Sequence, residues 1–200
     1  MRGESMRVLI ACEFSGVVRE AFSLRGHEAW SCDLLPSEIP GRHFQGDVRD
    51  LLAEPWDLMI AHPPCTHLAV SGARYFKEKT DEQAEALDFI RTLLSAPIER
   101  IALENPVGII STRIRKPDQI IQPYDFGEDA SKRTSLWLKG LPLLRGTLFK
   151  PPRMVNGKPR WGNQTDSNQN RLGPSPDRWK LRSKTYPGIA RAMADQWGNP

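Results

Sequence analysis

Cysteine is scarce in this chain: 200 residues hold three, Cys12, Cys32 and Cys65. A small, odd number argues against the disulfide framework of a secreted domain and for reduced thiols in a cytoplasmic protein. Long apolar runs are missing as well. None approaches signal-peptide form or bilayer length, so no membrane partner is expected. The first strand-to-helix turn lacks the dinucleotide glycine pattern, since Gly16 stands there alone, which sets NAD and FAD aside. There is no internal repeat and no extreme charge. The net charge is +4, with 39% apolar and 26% charged residues, as in an ordinary globular protein with one core. The charge is uneven, however. From Lys132 onward Lys and Arg outnumber Asp and Glu, while the first half is near neutral or acidic. That asymmetry suits a polyanionic partner such as nucleic acid or a nucleotide.

What is present alternates between two periods. Residues 7–12 read as a strand, 17–24 as an amphipathic helix stopped by Gly26, and 27–32 as a second strand ending at Asp33. A short strand at 43–45 leads to Gly46-Asp47-Val48. The apolar run 56–61 predicts a buried strand, 81–94 a helix, and 101–103 a further strand ending in Glu104-Asn105-Pro106. This alternation predicts an α/β fold with a doubly wound, mostly parallel sheet. Beyond Pro106, 124–127 and 134–138 read as an antiparallel pair completing the sheet. Residues 149–176, rich in Pro, Gly, Asn and Arg, read as a long loop, and 187–197 as a last amphipathic helix. The expected organisation is a disordered leader at 1–5, a catalytic core at 6–148, a basic loop region at 149–184 and a C-terminal helix at 185–200 packing on the core.

Chemistry-bearing residues fall at strand ends, where open α/β sheets bind ligands. Pro63-Pro64 fixes the exit from the fourth strand and aims Cys65, a candidate nucleophile. Glu104 ends the next strand. In the first turn, Glu13, Phe14, Ser15 and Gly16 stand where backbone donors at a helix start hold a nucleotide-like cofactor. Asp33 suits ribose hydroxyls, and Asp47 the exocyclic amine of an adenine. A single glycine suits a cofactor without a pyrophosphate, and S-adenosylmethionine has all of these groups. His62, Cys65 and His67 lack a convincing fourth ligand for zinc, so no metal is expected.

In family order, Phe14-Ser15-Gly16, Pro63-Pro64-Cys65, Glu104-Asn105-Pro106 and Lys132-Arg133-Thr134 resemble the motifs of the DNA cytosine-C5 methyltransferases, in a compact, phage-like form. Thr185-Tyr186-Pro187-Gly188-Ile189-Ala190 resembles the last family motif. The resemblance implies a sheet of the S-adenosylmethionine-dependent methyltransferase type, in a bacterial or phage-infected cell. It implies Cys65, Glu104 and Arg133 as catalytic residues, with Pro63 joining the cofactor set. Cys65 would add to carbon 6 of cytosine, Glu104 would hold ring N3, and Arg133 would hold O2 or a phosphate. Asn105 would orient its loop, and Pro106 and Lys132 would border the base.

Three features depart from the pattern, the first being the family's Gln-x-Arg-x-Arg segment, reduced here to Ser131, Lys132 and Arg133. Pro106 replaces the usual Val, and the large target-recognition domain is reduced to about fifty residues between the basic segment and the last motif. There Arg153 and Arg160, with Lys158, Trp161, Arg171, Arg178 and Trp179, mix cations with aromatics, as phosphate contact and base stacking require. The expected partner is DNA, duplex or single-stranded. A free cytosine nucleotide or other pyrimidine, a partner protein supplying recognition, and a non-catalytic regulatory relative remain open alternatives.

Overall fold

The computed structural model describes residues 5–69 and 80–199. Apart from Ser5, whose hydroxyl donates to the Gly26 carbonyl at 2.9 Å, the expected leader lies outside the described residues.

The chain forms the expected α/β, doubly wound, mostly parallel sheet. Strands β1 (Arg7–Ala11), β2 (Glu28–Asp33), β3 (His43–Gln45), β4 (Leu58–Ala61) and β5 (Arg100–Pro106) run parallel. β6 (Gln119–Ile121) and β7 (Thr134–Lys139) complete the order β3-β2-β1-β4-β5-β7-β6, with β7 antiparallel to both neighbours. Alternate residues of the central strands enter different cores, which is why those strands read as unbroken apolar runs. Val8, Ile10, Leu58, Ile60 and Leu136 meet helices α1 (Val17–Ser23) and α5 (Pro187–Trp197) on one face. Leu9, Met59, Ile101, Leu103 and Trp137 meet α2 (Thr80–Leu94) and α3 (Ile110–Arg113) on the other.

α1 begins where Glu13 caps it. The buried Glu13 carboxylate accepts from the Val18 amide at 2.7 Å and the Arg19 amide at 3.2 Å, satisfying donors that a helix start leaves open. Gly16 precedes the helix at φ 73°, and a Cβ there would lie 2.6 Å from Ile39 Cγ1, so only glycine fits. Arg19 is 1% exposed and pairs with no carboxylate among the described residues. Its guanidinium donates to the hydroxyls of Ser31 and Ser37 and to the carbonyls of Ile39 and Pro40 at 2.9–3.0 Å, folding the loop after β2 onto α1.

Two sequence expectations are corrected. Residues 124–127 are not a strand: Pro123–Asp125 is a 3-10 turn, and Gly127 at φ 86° turns the chain onward. The partner of β7 is instead β6. Residues 149–176 are not one loop, because β8 (Arg153–Val155) and β9 (Lys158–Arg160) pair as a hairpin around Asn156-Gly157. A short helix α4 (Arg178–Ser183) follows.

Candidate functional site

The strand order reverses between β1 and β4, and the carboxyl ends there open onto a crevice, the place where such sheets hold ligands. The Pro63-Pro64-Cys65 segment is locked from both sides. Asn105, at the end of β5, donates from Nδ2 to the Pro63 carbonyl at 2.9 Å. The Cys65 carbonyl accepts from the amides of Leu68 and Ala69, and the Leu68 carbonyl from that of Ile109 at 2.9 Å. Gly108 permits this approach, for a Cβ on it would fall 2.0 Å from the Leu68 carbonyl oxygen.

A cleft of about 360 Å³ follows. Cys65, Glu104, Asn105, Pro106 and Lys132 line it with His62 and Pro63, beneath Phe14, Trp179 and Arg182. Trp179 of α4 packs on Phe14 with ring centroids 6.0 Å apart. Burial pushes the Cys65 thiol up; Lys132 opposes that, Glu104 adds to it, and Arg182 opposes it again. For Glu104 burial also acts upward, but the His62 hydrogen bond and the Lys132 charge outweigh it, holding the carboxyl below its ordinary range. The site therefore rests with a thiol facing a carboxylate.

A second cavity of about 450 Å³ shares Cys12, Asp33 and Pro64 with the cleft and continues between Val48, Asp47 and Phe89. Burial raises the Asp33 carboxyl. Its Oδ1 accepts from the Leu35 amide at 2.9 Å. The cavity lining offers acidic, aromatic and apolar groups together, and could hold a nucleoside with Asp33 as the acceptor for sugar hydroxyls. Asp47 is committed locally, since it caps the 3-10 turn Val48–Leu51 and pairs with Arg49 at 2.5 Å. Cys12, at the end of β1, has φ 59°, a left-handed conformation that a non-glycine residue adopts at some strain.

The fold thus brings Cys65, Glu104, Asn105, Pro106, Lys132, Phe14, Pro63 and Asp33 onto one crevice, with Asp47 at its far end. Glu13, Ser15 and Gly16 build the start of α1: the Ser15 hydroxyl donates to the carboxylate of Glu13, which faces amides of its own chain. Arg133 is exposed and lies outside the cleft lining, beside Tyr124, so Lys132 is the cation of that segment facing Cys65. Arg153 and Arg160 are tied within the hairpin region. Arg153 pairs with Asp166 at 2.6 Å, and Arg160 donates to the Asp166 and Pro159 carbonyls. Sequence reasoning passed over Cys12, Arg182 and the role of His62. Cys12 reads as core, and the other two reach the crevice only through tertiary structure.

No protein-family model matches the chain, and no curated protein matches it. Among solved structures it is similar to an Escherichia coli protein provisionally described as a DNA modification methyltransferase encoded within a prophage. The identity is 18% and the TM-score 0.48, over 76% of this chain and 54% of that one. This chain thus spans about half the length of that protein.

Proposed function

We propose that the protein transfers a methyl group from S-adenosylmethionine to carbon 5 of cytosine in DNA, through a covalent Cys65 adduct at carbon 6. One observation carries this reading: Cys65 and Glu104, at the ends of adjacent strands, line a single cleft that opens onto the Asp33 cavity. Carbon 5 of cytosine is a poor nucleophile, and a thiolate with a proton-handling carboxyl is what its activation demands. S-adenosylmethionine, when bound, supplies a methyl group on a sulfonium, electrophilic enough for a carbon nucleophile.

The residues then divide the work. Asp33 would accept from the ribose hydroxyls and Phe89 would wall the adenine, with Phe14 and Pro63 closing the cofactor toward the cleft. Asp47 can take the adenine amine once Arg49 yields. In duplex DNA the base must leave the stack to reach Cys65. As the Cys65 thiolate bonds to carbon 6, the ring electron pair moves toward N3, which takes a proton from Glu104. Carbon 5 thereby gains enamine character. After carbon 5 has been methylated, a base, water in the simplest case, removes its proton. The 5,6 double bond re-forms, Cys65 departs as thiolate, and N3 gives its proton back through Glu104 to the thiolate. Asn105 holds the Pro63 carbonyl, Lys132 holds charge near sulfur, and Pro106 borders the base. Arg133, Arg153 and Arg160 would reach DNA only at the periphery.

Tritium transfer from methyl-labelled cofactor tests the reading on duplex DNA, single-stranded DNA and cytosine nucleotides. The expected result is label on carbon 5 of DNA cytosine, lost in Cys65→Ala. Label that survives in Cys65→Ala would sink the adduct mechanism. A second reading, the same chemistry on free nucleotides, draws support from the internal pairing of Arg153 and Arg160, which leaves the hairpin region with fewer cations for DNA. Label on nucleotides alone would select it.

A further inference from the structure

Register in the sheet sets one more residue into the site. β4 and β5 pair in parallel with Ala61 opposite Leu103, so the next residues along, His62 and Glu104, become neighbours. Their side chains are 7% and 11% exposed, and His62 Nδ1 lies 2.8 Å from Glu104 Oε2. The other ring nitrogen, Nε2, is buried with no hydrogen-bond partner among the described residues. An imidazolium would bury an unanswered N–H there, whereas the Nδ1–H tautomer leaves only a lone pair unmatched. The groups facing Glu104 are His62 at the end of β4, Cys65 in the following loop, Lys132 just before β7, and the Thr134 hydroxyl at the start of β7, which also bonds the carboxylate.

We propose that His62 is a positioning residue acting through Glu104: its Nδ1–H clamps one carboxylate oxygen and leaves the other to carry a proton from Cys65 to N3 of the target ring. This rests on the methyl-transfer reading. The protons balance within the cleft. The Cys65 S–H proton passes to the Glu104 carboxylate, directly or through one water. The sulfur lone pair forms the bond to carbon 6, and the displaced ring pair at N3 takes the proton, returning Glu104 to carboxylate. No external acid is consumed. Without His62, burial would draw the Glu104 carboxyl upward against Lys132 and the Thr134 hydroxyl alone, so that it loses its capacity to accept from Cys65 over a wider acid range.

The test is the pH profile of kcat/KM in His62→Ala and His62→Asn, the latter retaining a donor near Nδ1 without the ring. In His62→Ala the acid limb should move up by about one pH unit, with roughly tenfold loss on the acid side of the limb and little change at neutral pH. His62→Asn should return the limb toward wild type, while cofactor affinity stays within about twofold in both variants. A uniform loss with an unmoved limb, or an Asn variant no better than Ala, overturns the proposal. Nitrogen-15 spectra of the ring test the pair without turnover. They should give Nδ1–H for His62 and a shift in Glu104→Gln; an Nε2–H tautomer overturns the pairing even if methyl transfer is confirmed. A wild type showing no Cys65-dependent transfer, with the tautomer as expected, overturns the methyl-transfer reading and the proton route built on it.

Discussion

Cys65 stands between a burial penalty and two cations, and its reactivity follows from which of them dominates. Because burial leads, the thiol holds its proton at neutral pH, and Lys132 is the largest influence against that. Replacing Lys132 with Met should slow iodoacetamide alkylation of Cys65 at neutral pH by roughly 3- to 10-fold, and Lys132→Arg should largely restore it. Mass spectrometry of the Cys65 peptide reads this directly, and an unchanged rate would remove Lys132 as the thiol's counter-charge. Glu104 carries a different signature. Its folded carboxyl titrates below the ordinary 4.5, so the stability it contributes is present above that pH and is lost as pH falls through the folded value. Glu104→Gln should therefore flatten the acid side of a urea stability profile. Cys65 and Glu104 were legible in the sequence because prolines and strand ends mark them. His62 was not, because its adjacency to Glu104 exists only once β4 and β5 take their register.

Elements show the same division between local signal and assembly. β1, β2, β4, α1 and α5 emerged from periodicity within a residue or two, since each carries its pattern over a full element. β6 did not. It spans three residues at the sheet edge, and its strand character comes from pairing with β7. The first turn offers the sharper case, because an acid there reads equally as cofactor ligand or helix cap. The two oxygens of Glu13 meet the Val18 and Arg19 amides. Glu13→Ala should accordingly lower stability by about 1–2 kcal/mol in urea melts, in line with lost caps, and barely change cofactor affinity. A large affinity loss at intact stability would return Glu13 to the binding site.

At the scale of the whole molecule, the last helix closes the core opened by the first strand. Trp197 is 1% exposed and donates from Nε1 to the Pro142 carbonyl at 3.0 Å, while α5 lies against α1. Trp197→Ala should cost about 3–5 kcal/mol, measured by denaturant unfolding. The charge asymmetry also looks different once side chains are in place. Guanidinium groups of Arg153, Arg160 and Arg171 act as struts, bonded to Asp166, Gln164 and Pro159 of their own segment. Those available beside the cleft are on α4, where Arg178, Lys180 and Arg182 have no acidic partner among the described residues. Counterion release scales with phosphates neutralised, not with basic residues encoded. With Lys132 included, log affinity for DNA against log salt should slope at about −2 to −4, far shallower than the C-terminal composition would suggest. A protein built this way would hold DNA loosely and trade on chemistry at one base, losing about 16- to 250-fold in affinity over a fourfold rise in salt where a contact-rich binder loses thousands.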